Sequence, residues 1–320
     1  LPVAGKPLVW YMGDDSNNEY LYKFVSTAVW DAADANPADR LATGAKYLDQ
    51  GKLYVARFNA DGTGVWLLLD VATATKAGST LGALYGDLAG IILNTRGAGD
   101  AVGATPMDRP EWTAVNPLNG DAYLTLTNNS ARTPDKVDAA NPRGPNRHGH
   151  IIRWHDSDDQ LSFTWDIFVF GANAAGTADI NRSGLTELNQ FASPDGMSFD
   201  SRGVLWFETD NGETTLTDYT NDQLLAVIPT DLVDATGKQV PINAQNQVDL
   251  RRFFVGPNGC EVTGITFTPD NKSIFVNIQH PDNWPYTDKA TEVTPAGTTL
   301  RPRASTVVIQ RDDGGEIGTV

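Results

Sequence analysis

Three acidic residues stand at similar places in short motifs, each at the start of a strand–turn–strand pattern. The motifs are Met107-Asp-Arg-Pro-Glu-Trp112, Ser193-Pro-Asp-Gly196 and Cys260-Glu-Val-Thr-Gly264, and the acids are Glu111, Asp195 and Glu261. If the three units are related by rotation about one axis, these carboxylates point into one end of a common channel. Clustered carboxylates raise one another's pKa unless cations neutralise them, and oxygen-rich sites select Ca²⁺, Mg²⁺, Mn²⁺ or iron. The recurrence therefore predicts metal ligands.

Each of these residues also has a simpler interpretation. An Asp in Pro-Asp-Gly is most often a turn residue, Glu111 could be a surface residue at a strand start, and Arg109 could pair with Asp108. Recurrence in three units favours the metal interpretation for Glu111, Asp195 and Glu261. Asp210 follows the second strand of the middle unit, a position that also suits a ligand at the channel mouth. For Cys260 a buried, inert thiol is the favoured interpretation.

Short alternating runs rich in β-branched and aromatic residues predict an all-β chain. The predicted strands are Leu8–Met12, Glu19–Ser26, Lys52–Phe58, Val65–Leu69, Trp112–Val115, Ala122–Leu126, His150–His155, Phe163–Phe170, Met197–Phe199, Val204–Glu208, Leu224–Ile228, Asp249–Val255, Val262–Thr268, Ser273–Gln279 and Thr306–Arg311. Helices are expected only over Ala28–Thr43 and Thr73–Asp87, the latter ended by Asp87 and Gly90. Hairpins repeated in four-stranded units favour a β-propeller over a β-sandwich, which would not explain the recurring hairpin.

Composition excludes several classes of function. The chain has 320 residues, a net charge of −16 and a pI near 4.5. Because its net negative charge repels the phosphate backbone, a nucleic-acid partner is not expected. No apolar run is long enough to span a membrane. One cysteine excludes an internal disulfide, and the absence of an HExxH motif disfavours a zinc hydrolase. The excess of Asp and Glu residues over Lys and Arg can increase solubility or bind hard cations.

The motifs together resemble those of the PhoX-type bacterial alkaline phosphatases. The similar blocks run in family order over nearly the whole chain: Tyr11-Met-Gly-Asp-Asp15, Glu19-Tyr-Leu-Tyr-Lys-Phe-Val-Ser26, Leu53-Tyr-Val-Ala-Arg-Phe58, Met107-Asp-Arg-Pro-Glu-Trp112, Leu126-Thr-Asn-Asn129, Gly149-His-Ile-Ile-Arg-Trp154, Ser193-Pro-Asp-Gly196, Gly259-Cys-Glu-Val-Thr-Gly-Ile-Thr-Phe-Thr-Pro-Asp270 and Phe275-Val-Asn-Ile-Gln-His-Pro281. The resemblance implies a six-bladed propeller that holds an iron–calcium cluster in its channel. It also implies export through the twin-arginine route and a periplasmic or extracellular location.

Individual residues carry implied roles. The Arg-Pro-Glu motif makes Arg109 a phosphate-binding residue and Glu111 a metal ligand, while Asp195, Asp210 and Glu261 match acidic positions that look like metal ligands. The implied reaction is hydrolysis of a phosphomonoester, in which an oxide or hydroxide activated by several metal ions attacks phosphorus in line. The alternatives are a calcium-dependent lactonase-like propeller and a non-catalytic, calcium-stabilised binding propeller.

The resemblance also implies that this chain is part of a larger assembly. Residues 1–320 correspond to the C-terminal blades of one propeller domain, about four of the six, and an N-terminal segment of the same protein would complete it. The family's iron-bridging cysteine and another ligating Glu lie in that segment, and Cys260 is not that cysteine. Asn17, Asn18 and Glu208 depart from the family pattern.

Overall fold

The structure is a computed structural model that describes residues 2–211, 220–282, 284 and 303–318. The chain forms two compact units, which we call unit 1 and unit 2. Unit 1 consists of Leu1–Pro110, Asp138–Pro142 and Trp154–Trp165, and unit 2 of Glu111–Val137, Arg143–Arg153 and Asp166–Val320. Among the described residues, no helix is long and apolar enough to cross a membrane.

Strands dominate the described residues. They are β1 (Pro7–Met12), β2 (Asn17–Glu19), β3 (Tyr22–Val29), β4 (Gly51–Phe58), β5 (Thr63–Leu68), β6 (Met107–Asp108), β7 (Pro110–Val115), β8 (Ala122–Leu126), β9 (His150–Asp156), β10 (Ser162–Phe170), β11 (Pro194–Phe199), β12 (Leu205–Thr209), β13 (Gln223–Val227), β14 (Arg251–Val255), β15 (Glu261–Phe267), β16 (Ser273–Gln279) and β17 (Ser305–Gln310). The helices are α1 (Arg40–Leu48), α2 (Leu81–Tyr85), α3 (Leu88–Leu93) and α4 (Thr95–Val102). The predicted all-β class is confirmed, and each predicted strand has a counterpart.

Unit 1 is built on antiparallel pairing of its strands. Strand β3 pairs with β1 and β4, and β4 pairs with β5. The predicted strand Glu19–Ser26 is divided, because Glu19 ends β2 and a new strand begins at Tyr22. The two-residue strand β6 pairs with β2, with Asn17 opposite Asp108. Strands this short show no alternation of apolar and polar residues, so sequence patterns do not detect them.

The predicted helix over Ala28–Thr43 is wrong in its position. Ala28 belongs to β3, and α1 begins only at Arg40. The start is set by Asp39, whose carboxylate accepts a hydrogen bond from the backbone N–H of Ala42 at 3.0 Å and so caps the helix.

The predicted helix over Thr73–Asp87 is also wrong, because only Leu81–Tyr85 is helical in that range. Gly86 ends α2 in a left-handed conformation with φ of 86°. Asp87 begins a helix rather than ending one, since its side chain accepts a hydrogen bond from Gly90 N at 2.8 Å.

Unit 2 contains three groups of neighbouring strands. Strands β7, β8 and β9 are adjacent in order, β11 to β14 form a four-stranded antiparallel sheet, and β15 to β17 form a three-stranded one. Each group begins with one of the hairpins predicted from the repeated motif.

Strand β12 of the β11 to β14 sheet is buried on both faces. Phe207 packs against Phe191 in one apolar cluster, with ring centroids 5.0 Å apart. Trp206 faces the opposite way and joins Val262 and Ile265 of β15 in a second cluster. Because side chains alternate along a strand, Glu208 lies on the Trp206 face and therefore points towards β15.

Candidate metal centre

The acidic residues of unit 2 come together because the strands that carry them are neighbours. Strand β11 lies against β8 and β15, and β12 lies against β15. The backbone N–H of Asp210 donates to the Ser193 carbonyl at 3.0 Å, which holds the end of β12 beside the start of β11. Polar side chains at these strand ends therefore meet in one place.

Asp210, Glu261 and His280 form the tightest group of potential ligands. One ligand atom from each residue lies within 4.8 Å of the other two. Gln279 pairs with Glu261 across β15 and β16 and donates its Nε2–H to Glu261 Oε2 at 2.6 Å, which orients the carboxylate. His280 Nε2 lies 3.6 Å from the same oxygen, and Nδ1 lies 3.1 Å from the Gly259 carbonyl oxygen. Burial and the charge of Asp210 raise the pKa of Glu261.

Glu208 is a fully buried carboxylate at the centre of this region. Its exposure is 0%, and neither oxygen accepts a hydrogen bond of normal geometry. Burial, with smaller contributions from Asp195 and Glu261, raises its pKa to about 8, although the nearby backbone amides of Ile265 and Gly264 oppose the shift. A Cβ on Gly196 would lie 2.2 Å from Glu208 Oε2, so only glycine leaves room for the carboxylate.

Asp222 adds a further buried acid. It accepts hydrogen bonds from Thr209 Oγ1 at 2.6 Å and from Asn211 N at 2.8 Å, which fixes the backbone on either side of Asp210. Burial is the main cause that raises its pKa to about 7. A pocket of about 460 Å³ adjoins this acid, and its lining includes Asp210, Asn211, Asp222, Cys260, His280 and Asp282.

Asp195 and Glu111 lie near strand starts, as expected from their motifs. Asp195 is the second residue of β11 and is buried, while Glu111 is the second residue of β7 and is half-buried. Thr125 on β8 links the two strands, because its Oγ1 accepts from Trp112 N at 3.0 Å and donates to the Asp195 carbonyl at 2.8 Å. Among the described residues, the group within 4.8 Å includes neither Glu111 nor Asp195.

Arg109 lies in unit 1, between β6 and β7. Its guanidinium forms two parallel hydrogen bonds with Asp15, and its backbone φ of 52° is strained for a residue with a side chain. Asp15 lies in the loop before β2, so the β2–β6 pairing brings the two residues together.

The sequence motifs do not single out Asp222 or His280, and they mark Glu208 only as a departure from the family pattern. A signal was available for His280, since it follows the last residue of β16 as Asp210 follows the last residue of β12. No local signal distinguishes Glu208 or Asp222, because their importance depends on burial. Burial also raises the pKa of Cys260 to about 12, as expected for an inert thiol.

This donor set fits hard cations. Carboxylate oxygens dominate it, and the one imidazole is a ligand that iron and other transition metals accept. The orphaned carboxylate of Glu208 and the space kept open above Gly196 favour a positive charge in this region. The residues present therefore fit a calcium–iron centre as well as other oxygen-rich ones.

Comparisons with known proteins identify similar chains. The model of the family described as alkaline phosphatase PhoX matches residues 2–282. PhoX of Pseudomonas fluorescens, solved in complex with vanadate, a transition state analogue, is 38% identical with a TM-score of 0.78, over 99% of this chain and 53% of that chain. The chain thus spans about half the length of that relative. No curated protein gives a significant match.

Two further solved structures are only distantly similar. A luciferin-regenerating enzyme aligns at 11% identity and a TM-score of 0.33, over 88% of this chain and 58% of that chain. A carbohydrate-active enzyme of family AA12 from Trichoderma reesei aligns at 11% identity and a TM-score of 0.29, over 83% of this chain and 77% of that chain.

Proposed function

Because the chain belongs to the PhoX alkaline phosphatase family, we propose that it forms part of a metal-dependent enzyme that hydrolyses phosphomonoesters. The observation that carries the proposal for this chain is the convergence of five carboxylates in unit 2, namely Asp195, Glu208, Asp210, Asp222 and Glu261. His280 lies beside two of them, Asp210 and Glu261. Such a concentration of carboxylates favours bound cations, and the proposed reaction uses cations to bind a phosphate dianion.

We propose calcium and iron as the cations, with Glu111, Asp195, Asp210 and Glu261 among their ligands. When bound, such ions neutralise phosphate charge and lower the pKa of a water molecule that can serve as the nucleophile. Other residues of the chain hold the ligating side chains in position. Gln279 orients Glu261 through its 2.6 Å hydrogen bond, and Asp222 fixes the backbone around Asp210. His280 adds an imidazole nitrogen to the group formed by Asp210 and Glu261.

Arg109 is proposed to bind the substrate phosphate. Its planar guanidinium offers two parallel N–H donors, the geometry that matches two phosphate oxygens. In the structure the same two donors hold the carboxylate of Asp15, a planar anion with two acceptor oxygens. The backbone at Arg109 is anchored next to the buried Asp108, whose N–H donates to Asn141 Oδ1 at 3.1 Å.

The proposed assembly is a six-bladed propeller to which this chain contributes about four blades. Support comes from the four-stranded antiparallel sheet of β11 to β14, whose strands pair in chain order, and from the match to half the length of P. fluorescens PhoX. An N-terminal segment of the same protein is the proposed partner that completes the blades and the ligand set. A periplasmic or extracellular location is proposed from the family.

The test is a phosphatase assay combined with elemental analysis. We expect the purified protein to contain calcium and iron, to hydrolyse p-nitrophenyl phosphate, and to lose this activity on chelation and regain it when both metals return. The assay is run on this chain alone and together with the N-terminal segment; equal activity in both samples would contradict the proposed completion of the site.

Matched variants and substrates sharpen the result. Glu261→Gln should lower both metal content and turnover, whereas Glu187→Gln, a change at an exposed acid of unit 2, should lower neither. Bis(p-nitrophenyl) phosphate and gluconolactone serve as control substrates. Lactone hydrolysis without phosphatase activity would favour the calcium lactonase, and bound calcium without either activity would favour the binding propeller.

A further inference from the structure

The Glu208 carboxylate is the polar group of the metal centre that is hardest to explain by folding alone. It is fully buried on β12, and no hydrogen bond of normal geometry reaches either oxygen. Burial of a carboxylate without partners costs more than most proteins can spare from their net stability. A buried acid in this situation is either neutral and structural or holds a positive charge.

The local structure is shaped around this side chain. Strand β11 is irregular between Pro194 and Met197, opposite the end of β12, and this irregularity contains Asp195 and Gly196. An irregularity of this kind redirects side chains, as β-bulges near active sites do. Gly196 lies directly under Glu208 Oε2, where a Cβ would approach to 2.2 Å. The sheet thus keeps room for the carboxylate beside Asp195.

The charges that face Glu208 have the same sign as its own. Asp195 on β11 and Glu261 on β15 are the charged groups that act on it, and both are acidic and mostly buried. Three acids that face one another repel unless a proton or a cation neutralises part of their charge. The group within 4.8 Å formed by Asp210, Glu261 and His280 does not include Glu208, so a cation in that group leaves Glu208 without a direct partner.

We propose that Glu208 and Asp195 hold a second, more deeply buried divalent cation, separate from the position formed by Asp210, Glu261 and His280. Carboxylate ligands and complete burial suit Ca²⁺ or another hard cation. Glu261 belongs to the group with Asp210 and His280, and its charge also acts on Glu208. This inference rests on the metal centre of the proposed function but assigns a ligand that the family pattern does not contain.

The experiment compares calcium binding by wild type, Glu208→Gln and the control Glu187→Gln. Each protein is stripped with chelator, titrated with Ca²⁺ by calorimetry, and analysed for bound calcium and melting temperature. We expect Glu208→Gln to bind one calcium ion fewer per chain than wild type, or to bind that ion at least about tenfold more weakly. Glu187→Gln should match wild type in both measurements.

The stripped proteins provide a readout that separates a ligand from a structural acid. Glutamine has nearly the shape of glutamate but no charge, so stripped Glu208→Gln should melt at or above the temperature of stripped wild type. Its rise in melting temperature on addition of Ca²⁺ should be smaller. An unchanged calcium stoichiometry, affinity and calcium-induced shift in Glu208→Gln would overturn the proposal.

Two further measurements keep the result decisive. If Glu208→Gln does not fold, Glu208→Asp keeps the charge on a shorter side chain and should bind the deeper ion more weakly; wild-type affinity there would refute the assignment. Phosphatase activity is recorded in parallel. If wild type shows no phosphatase activity but Glu208→Gln binds one ion fewer than wild type, only the proposed function is rejected. If wild type is active and Glu208→Gln keeps the wild-type metal content, only the Glu208 site is rejected.

Discussion

Asp15 and Arg109 form a two-pronged ion pair, with Nε 2.6 Å from Oδ1 and Nη2 2.9 Å from Oδ2. The partners are 94 residues apart in the chain, and the short pairing of β2 with β6 brings them together. The Arg109 side chain is 26% exposed and that of Asp15 is 46% exposed, so water and anions reach the pair. A carboxylate and a phosphate can each accept both of these parallel donors, so the proposed phosphate-binding role of Arg109 implies competition between Asp15 and phosphate.

Asp15→Asn should therefore strengthen inhibition by phosphate and by vanadate. An exposed pair of this kind contributes less than about 1 kcal/mol, so we expect the inhibition constants to fall about two- to fivefold. The neighbouring exposed acid provides the control, since Asp14→Asn removes the same charge but not this contact. Equal effects of the two variants would show that only the general field changed.

Arg109→Ala separates phosphate binding by Arg109 from competition by Asp15. If Arg109 binds phosphate, its removal should weaken inhibition by phosphate and lower turnover by about a hundredfold, the usual effect of losing one electrostatic stabiliser. Normal turnover in Arg109→Ala would reject its catalytic role. A large loss in Arg109→Ala without any change in Asp15→Asn would reject only the competition by Asp15.

Gly196→Ala should disturb the metal centre. The added methyl group would lie 2.2 Å from Glu208 Oε2, so the carboxylate or the strand has to move. We expect a loss of about 1 to 3 kcal/mol in the free energy of unfolding, together with weaker calcium binding, measured by denaturation and calorimetry. Gly44→Ala is the control, because no atom lies within 4 Å of its added Cβ and α1 gains from alanine. Equal stability of the two variants would contradict the close approach.

The stability of the protein should fall as the pH is lowered from about 6.5 to about 4, in part because of His148. Burial and the charges of Arg143 and Arg147 lower the pKa of His148 to about 4. The folded protein then binds fewer protons than the unfolded chain in this window, so acid favours unfolding. After allowance for its partial exposure, we expect a contribution of at most about 2 kcal/mol.

Urea denaturation at several pH values measures this contribution. The difference in free energy of unfolding between pH 7 and pH 4.5 should be smaller in His148→Gln than in wild type. His155→Gln, a change at an exposed histidine, should keep the wild-type difference. The same pH dependence in wild type and His148→Gln would contradict the prediction.

Lys23→Met should destabilise unit 1. Lys23 is fully buried, pairs with Asp156, and lies 5.0 Å from the centre of the Trp66 ring. Removal of one partner from a buried ion pair leaves the other charge poorly compensated, at a cost of about 3 kcal/mol. The exposed pair of Lys46 with Asp34 provides the control, since Lys46→Met should change the free energy of unfolding by less than about 1 kcal/mol. Similar losses in both variants would show that burial of the pair is not decisive.

The strands could be predicted because their signal is local. Ala122–Leu126 and Ser273–Gln279 were predicted with the boundaries that the structure has, since alternating faces and turn residues mark them in the sequence. The predicted helix positions were wrong because the helical sequence patterns are weak and the helix ends depend on capping. Asp39 and Asp87 act as N-caps only through the geometry of the following turn.

The sequence by itself determined the all-β class, the repeated hairpins, the surplus of acid and the motifs that carry Arg109, Glu111, Asp195, Asp210 and Glu261. Only the tertiary structure decided that Glu208 is fully buried with no hydrogen bond of normal geometry, that His280 joins Asp210 and Glu261, and that Asp15 holds Arg109. The physical reason is the distance along the chain over which each kind of interaction acts. Alternation and turn chemistry act between neighbours in the chain, whereas burial and electrostatic fields depend on strands brought together from distant parts of it.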